Sequence, residues 1–325
     1  MDEKVEQLIK QYWKKLKKKA NVVGFSGELQ PKVIGGVSHP ERKAFRIYVK
    51  QKGDVSPKDL MPKRLDIGPE SIETDVIAVG ELKALDNKAK RRPICAGIST
   101  MHKDGTACTI NGFFRDKETQ ETLVASNNHC YALENKALIG DPVLQPGPYD
   151  GGKYPDDQIG TLEKYVEVKF DTFTCPFRNA LIKFVRLFTR QVAENKVDIA
   201  FAKMSVLYEV LATYIGEFKG KRFFHAGDQV TKSGRTTEQT EGVVIDTAYS
   251  GYVTYSRGMA FFTDCYLVEG AGFSAGGDSG SPVFDMNGNY GGALFAGSDQ
   301  YTIVCKVENI EKEANVELIT SGDSK

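Results

Sequence analysis

Apolar positions at the start of the chain recur at helical spacing. Val5, Leu8, Ile9, Tyr12, Trp13 and Leu16 fall three and four residues apart, which predicts one amphipathic helix within residues 1–19. Lys14, Lys15, Lys17, Lys18 and Lys19 crowd its end, where cations complement the helix dipole. A basic amphipathic helix can lie on a membrane or bind a partner, but the simpler expectation is a helix docked on its own domain with a solvated lysine face.

The period then shortens. Asn21–Gly24 and Ala44–Val49 read as strands, the second alternating through Phe45, Ile47 and Val49. Ser56 followed by Pro57 resembles a capped helix start. Thr74–Val79 reads as a closing strand, so residues 20–81 are expected to form a small α/β domain. Residues 82–93, rich in Lys and Arg and ending at Pro93, read as a linker.

From Ile94 onward, short apolar runs alternate with turn signals. Ala107–Phe114, Glu121–Ser126, Val197–Ala202, Gln229–Lys232, Gly242–Thr247, Phe261–Val268, Pro282–Phe284, Gly291–Phe295 and Tyr301–Lys306 are the strand candidates, a pattern that indicates an all-β barrel or sandwich. Arg178–Arg190 reads instead as an amphipathic helix inserted between strands. The last residues, 316–325, read as a tail, frayed from Thr320.

Composition narrows this picture. The 325 residues are 41% hydrophobic, enough for a sizeable core, and Lys+Arg and Asp+Glu are both 43, so charge does not argue for nucleic acid as a partner. The start of the chain carries no secretory signal pattern, and no apolar run approaches the roughly 18–20 residues of a membrane span. The 6 cysteines show no CxxC pair and no metal spacing with histidine. They read as free thiols in a reducing compartment, hence cytoplasmic, with no metal or other cofactor expected.

The chemistry gathers in three stretches. Gly276-Gly277-Asp278-Ser279-Gly280-Ser281-Pro282 places a serine in a glycine-rich loop before a strand. A serine hydroxyl needs a base to take its proton, and the oxyanion it creates needs donors already in place. Glycine two residues before the serine lets the amides of Gly277 and Ser279 turn toward one point. The second stretch ends a strand in His129 (Leu123 to Cys130), where a base is held rigidly. The chain has only 4 histidines, and His39, His102 and His225 lack this setting. The third is Val197-Asp198-Ile199-Ala200, an acid in an apolar frame that needs a partner such as an imidazolium. Asp171 and Asp228 lack that frame. A surface serine in a glycine-rich loop, a structural histidine and an acid at a strand edge are the bland alternatives for each stretch taken alone.

The order His, Asp, Ser selects among the known triad arrangements. Residues 94–310 resemble trypsin-like serine peptidases, in particular a non-secreted bacterial and plant subgroup akin to the plant narrow-leaf protein. The carrying stretches are Arg92-Pro93 through Gly112, Ser126–His129, Gly140-Asp141 through Gly152, Val197–Ala200 and Gly276–Pro282. Residues 20–80 resemble the small domain preceding the peptidase in that subgroup. The resemblance implies a mainly β fold of two six-stranded barrels over residues 94–315, the first about 94–215 and the second about 216–310. It places His129 and Asp198 in the first barrel and Ser279 in the second. It also implies a substrate pocket with Phe273 at its base and Leu294, Phe295, Ala296 and Gly297 in its wall, which favours an apolar or small residue before the cleaved bond. Secreted relatives pair the cysteine after the histidine with one about sixteen residues earlier. That position is Phe114 here, so no disulfide at Cys130 is expected.

These features predict a regulated intracellular serine endopeptidase acting on a protein or peptide substrate. The alternatives are a triad-bearing barrel serving as a binding scaffold, and an esterase on the same triad. Zymogen activation is not expected, because the one suggestive cleavage point, Arg91-Arg92-Pro93-Ile94, has proline after the bond. The 178–190 insertion is a candidate gate for the cleft, and the N-terminal region a candidate surface for a homo-oligomer or regulatory partner.

Overall fold

The computed structural model describes residues 3–16, 18–53, 55–67, 69–80, 86–173 and 193–323. The expected 178–190 helix lies outside them. The chain divides into two compact units, Met1–Leu85 and Asp86–Lys325.

In the first unit, helix α1 (Glu3–Leu16) is followed by strands β1 (Val22–Ile34), β2 (Val37–Val49), β3 (Arg64–Ile67) and β4 (Glu70–Ala78), ordered β1-β2-β4-β3. β2 and β4 run parallel, with Phe45 opposite Thr74. Val5, Leu8 and Leu16 of α1 are buried against Phe45, Ile47, Val49, Leu65 and Ile72, so the helix docks on its own domain as its spacing predicted. The helix start expected at Ser56 is a single 3-10 turn, Pro57–Asp59, and Leu60 is already extended. Pro62 in addition disfavours helical geometry at Met61, so the turn is not resumed.

In the second unit two rings of strands close. The first uses β5 (Ser99–His102), β6 (Cys108–Thr109), β7 (Gly112–Asp116), β8 (Thr122–Ser126), β9 (Pro142–Leu144), β10 (Gln158–Tyr165) and β11 (Ala200–Met204). β6 and β7 are two halves of one bent strand. β6 pairs with β5 and β7 with β8, after which β11, β10 and β9 lead back to β5. The second ring is β12 (Gln229–Gly234), β13 (Glu238–Thr254), β14 (Gly258–Glu269), β15 (Pro282–Asp285), β16 (Asn289–Gly297) and β17 (Tyr301–Lys306). It closes through β14–β17 and β17–β16 pairing on one side and β12–β15 on the other. Closure removes the free edges that short strands would otherwise expose. The architecture is thus the expected pair of six-stranded barrels.

One core cluster joins the barrels, from Phe113, Leu123 and Phe201 to Phe262, Phe284 and Tyr290. A second, around Val230, Tyr266, Phe273, Val283 and Leu294, fills the second barrel.

Two expectations are corrected. Residues 86–93 are not a free linker: Asn87 donates to the Gly234 carbonyl at 2.8 Å, and the Arg91 N–H donates to the Gln145 side chain at 2.9 Å. The expected tail from 316 is also structured. After helix α3 (Val307–Ala314), Asn315 takes a left-handed C-terminal position, and β18 (Val316–Leu318) pairs with β7 of the first barrel, Val316 opposite Asp116. Val307, Ile310, Val316 and Leu318 are buried apolar anchors that a reading centred on strand runs passed over.

Candidate active site

Strand register brings His129 and Asp198 together. β8 and β11 are antiparallel with Ser126 opposite Ala200, so residues just past 126 meet residues just before 200. His129 lies in the four-residue helix α2 (Asn128–Tyr131) that caps β8. Its Nδ1 is 2.7 Å from Asp198 Oδ2, and its backbone N–H donates to Asp198 Oδ1 at 3.2 Å. Asn127 donates to the Asp198 carbonyl at 2.7 Å. The Asp198 side chain has no solvent exposure.

The electrostatics follow from this burial. For His129, burial opposes the charged form, but the charge and hydrogen bond of Asp198 outweigh it and hold the imidazole above the usual histidine value. For Asp198, burial opposes ionisation, but His129, the Tyr255 hydroxyl and the His129 backbone N–H hold the carboxyl below its usual value. Nδ1 therefore carries the proton shared with the carboxylate, which leaves the Nε2 lone pair as the basic position.

The Ser279 loop is pinned from both barrels. Gly277 and Gly280 have φ of 96° and 94°, backbone that a side chain would strain. Thr109 of β6 donates its N–H to the Ser279 carbonyl at 2.8 Å and its hydroxyl to the Gly277 carbonyl at 2.9 Å. Asn111 donates to the Gly280 carbonyl at 3.0 Å. A Cβ at Gly280 would meet the Thr109 carbonyl oxygen at 2.2 Å and Ser126 Oγ at 2.5 Å, so the loop rests directly on the stretch leading to His129. Among the described residues, the N–H groups of Gly277 and Ser279 donate to no acceptor. Two such free donors are what a developing oxyanion requires.

Asp278 is fully buried and fully partnered. Its carboxylate accepts from the N–H groups of Thr236 (2.7 Å), Thr237 (3.2 Å) and Ala275 (3.0 Å) and from the Thr237 hydroxyl (2.7 Å). Lys232 Nζ lies 3.5 Å away, also without solvent exposure. Burial pulls the Lys232 ammonium below the usual lysine value, and Asp278 counters this. The acid before the serine is thus satisfied by an internal lysine and a hairpin turn. Ile94 sits buried in the strand Ile94–Ala96, its N–H bonded to the Leu207 carbonyl.

A cleft of about 1130 Å³ opens beside His129. Its walls include Tyr249, Tyr252 and Leu267 from the long β13–β14 hairpin, Tyr301 from β17, and the expected Phe295, Ala296 and Gly297. Phe273 and Leu294, expected in the pocket, pack instead in the core of the second barrel, 1% and 2% exposed. Beyond Gly297 lies a hydroxyl pair, Ser274 and Thr302, at 2.7 Å. A Cβ at Gly297 would meet both within 3.1 Å.

One expectation about the cysteines is overturned. Cys108 and Cys130 form a disulfide, whereas Cys95, Cys265 and Cys305 are free and buried; Cys175 lies outside the described residues. The bond joins β6, which holds the Ser279 loop, to the helix carrying His129. The partner of Cys130 is 22 residues earlier, in β6. The cysteines therefore no longer argue for a reducing compartment. Cys108, His129 and Cys130 are close enough to suggest a metal site, but the disulfide uses both thiols.

No family profile and no curated protein matches the chain in sequence. Among solved structures it is similar to Thermobifida fusca protease A at 18% identity and TM-score 0.47, covering 70% of this chain and 99% of that one. It is similar to Cellulomonas bogoriensis chymotrypsin at 16% identity and TM-score 0.46, covering 70% and 99%. A glutamic acid-specific serine protease matches at 15% identity and TM-score 0.45, covering 70% and 100%. The two-barrel architecture stands on this chain's own strand pairings. Among the described residues, no helix is long and apolar enough to cross a membrane.

Proposed function

We propose that the chain is a serine endopeptidase, with Ser279 as nucleophile, His129 as base and Asp198 orienting the base. The observation that carries this reading is the buried Asp198 carboxylate bound at 2.7 Å to His129 Nδ1, beside a Ser279 loop with two free N–H donors. His129 Nε2 takes the Ser279 proton as Oγ attacks the peptide carbonyl, then returns it to the leaving amine. Asp198 holds the tautomer and stabilises the imidazolium. The Gly277 and Ser279 N–H groups stabilise the oxyanion. The aromatic and aliphatic walls of the cleft favour an apolar residue before the cleaved bond. With Asp278 partnered internally, the enzyme folds directly into its competent form. Membership of the non-secreted bacterial and plant subgroup is supported by the sequence stretches quoted above.

A fluorophosphonate probe tests this. The folded wild type is expected to label at Ser279, and Ser279→Ala to lose the label while keeping its circular dichroism. A folded wild type that does not label favours a binding scaffold. Labelling with turnover of esters but of no peptide in a broad library favours an esterase.

A further inference from the structure

The Asp198 carboxylate has a second side-chain donor, from the opposite barrel. Tyr255, at the tip of the β13–β14 hairpin, donates its hydroxyl to Asp198 Oδ2 at 2.7 Å. This is the same oxygen that His129 Nδ1 approaches at 2.7 Å. The Tyr255 ring packs edge-on to His129, centroids 5.9 Å apart, and edge-on to Phe170 at 5.7 Å. Burial and the Asp198 charge push the phenol well above its usual value, so it stays a donor throughout the working pH range.

The hairpin tip is itself fastened beside His129. Glu134 accepts from the Ser256 N–H at 3.0 Å, the Ser256 hydroxyl at 2.7 Å and the Arg257 N–H at 3.1 Å. Glu134 lies between Leu133 and Asn135 in a turn where all three have positive φ, 50°, 57° and 65°, a costly conformation for residues with side chains. Two hydrogen bonds between Asn128 and Asn135, at 2.8 and 3.2 Å, lock this turn to the helix of His129.

We infer that Tyr255 is a positioning residue for the His129–Asp198 pair, supplied by the second barrel and held in register by the Glu134 clasp. Its hydroxyl fixes the carboxylate rotamer and shares the charge that the imidazolium feels. The groups facing this pair are Glu134 at the clasp, itself bound by Arg257, and the Cys305 thiol, which accepts from the Asp198 N–H at 3.3 Å. Because Tyr255 also lines the cleft, a ligand that shifts the hairpin tip moves the donor on Asp198.

The test follows the His129 imidazole by NMR titration of the full-length protein in wild type and Tyr255→Phe, with circular dichroism as fold control. Removing the hydroxyl leaves more of the carboxylate charge for the imidazolium. The His129 midpoint is therefore expected to rise by roughly half a pH unit. Site-specific 3-fluorotyrosine at 255, a stronger donor of nearly the same shape, is expected to lower it, and reads the same contact if Tyr255→Phe fails to fold. Unchanged midpoints in the folded variants overturn the proposal. In turnover, which rests on the peptidase reading, Tyr255→Phe is expected to lower kcat roughly tenfold with KM nearly unchanged. A wild type that never labels with fluorophosphonate defeats that reading and leaves the titration to decide Tyr255 alone.

Discussion

Replacing Lys232 by Met tests how the Ser279 loop is held. The substitution keeps a four-atom apolar stem, with sulfur in place of Cδ, and removes the ammonium. At 3.5 Å from Asp278, the gross attraction is about 5 kcal/mol with an effective dielectric constant of ~20. Lys232 also donates to the Thr237 hydroxyl and to the Glu238 carbonyl, and the Thr237 hydroxyl in turn donates a hydrogen bond to Asp278. Against this, the mutant no longer desolvates an ammonium, and Asp278 keeps four other hydrogen bonds. The balance falls at the low end of the range for breaking a buried pair, about 3 kcal/mol. Urea unfolding reads that number. The loop that sets the Gly277 and Ser279 donors should loosen with it, and loss of one oxyanion donor corresponds to a roughly 10²–10³-fold slower fluorophosphonate reaction. Lys232→Met/Asp278→Asn removes both charges and should destabilise by at least ~1 kcal/mol less than the sum of the single changes. A Lys232→Met protein that loses under about 1 kcal/mol and labels at the wild-type rate would refute the reasoning, because the turn at 236–237 would then suffice alone.

Other outcomes follow from the same geometry. The acid limb of kcat/KM should have its midpoint above the ordinary histidine value of about 6.5, since the base works only when neutral and Asp198 favours its charged form; a midpoint at or below that value contradicts the pairing. The stability from the raised His129 is fully present below the unfolded histidine value and disappears as pH rises through the folded one. That from the lowered Asp198 is lost as pH falls through its folded value. Gly280→Ala forces a Cβ to within 2.2 Å of the Thr109 carbonyl oxygen at φ 94° and should cost about 3 kcal/mol or more, read by urea unfolding. Cutting the Cys108–Cys130 bond by Cys108→Ala/Cys130→Ala should lower stability by about 3 kcal/mol for a separation of 22 residues. Alkylation mapping of the unreduced, unfolded protein should find these two cysteines unmodified.

Much of the proposed site was legible from local chemistry. A serine between glycines, a histidine ending a strand and an acid flanked by Val197 and Ile199 each announce a need that one residue cannot meet alone, and their order along the chain narrowed the arrangement. Docking of α1 was equally legible, because a helix face is set by spacing within a few residues. Tertiary structure decided the rest, and the reason is sequence distance. Cys108 meets Cys130 only once the strand pairings of the first barrel are formed, and Phe273 is buried in a cluster drawn from the strands of the second barrel. Lys232 meets Asp278, and Tyr255 meets Asp198, only after rings of short strands have closed. Periodicity reports which face of an element is buried. It carries no information about which distant residue will be found there, and in this fold both supports of the proposed triad come from such distant residues.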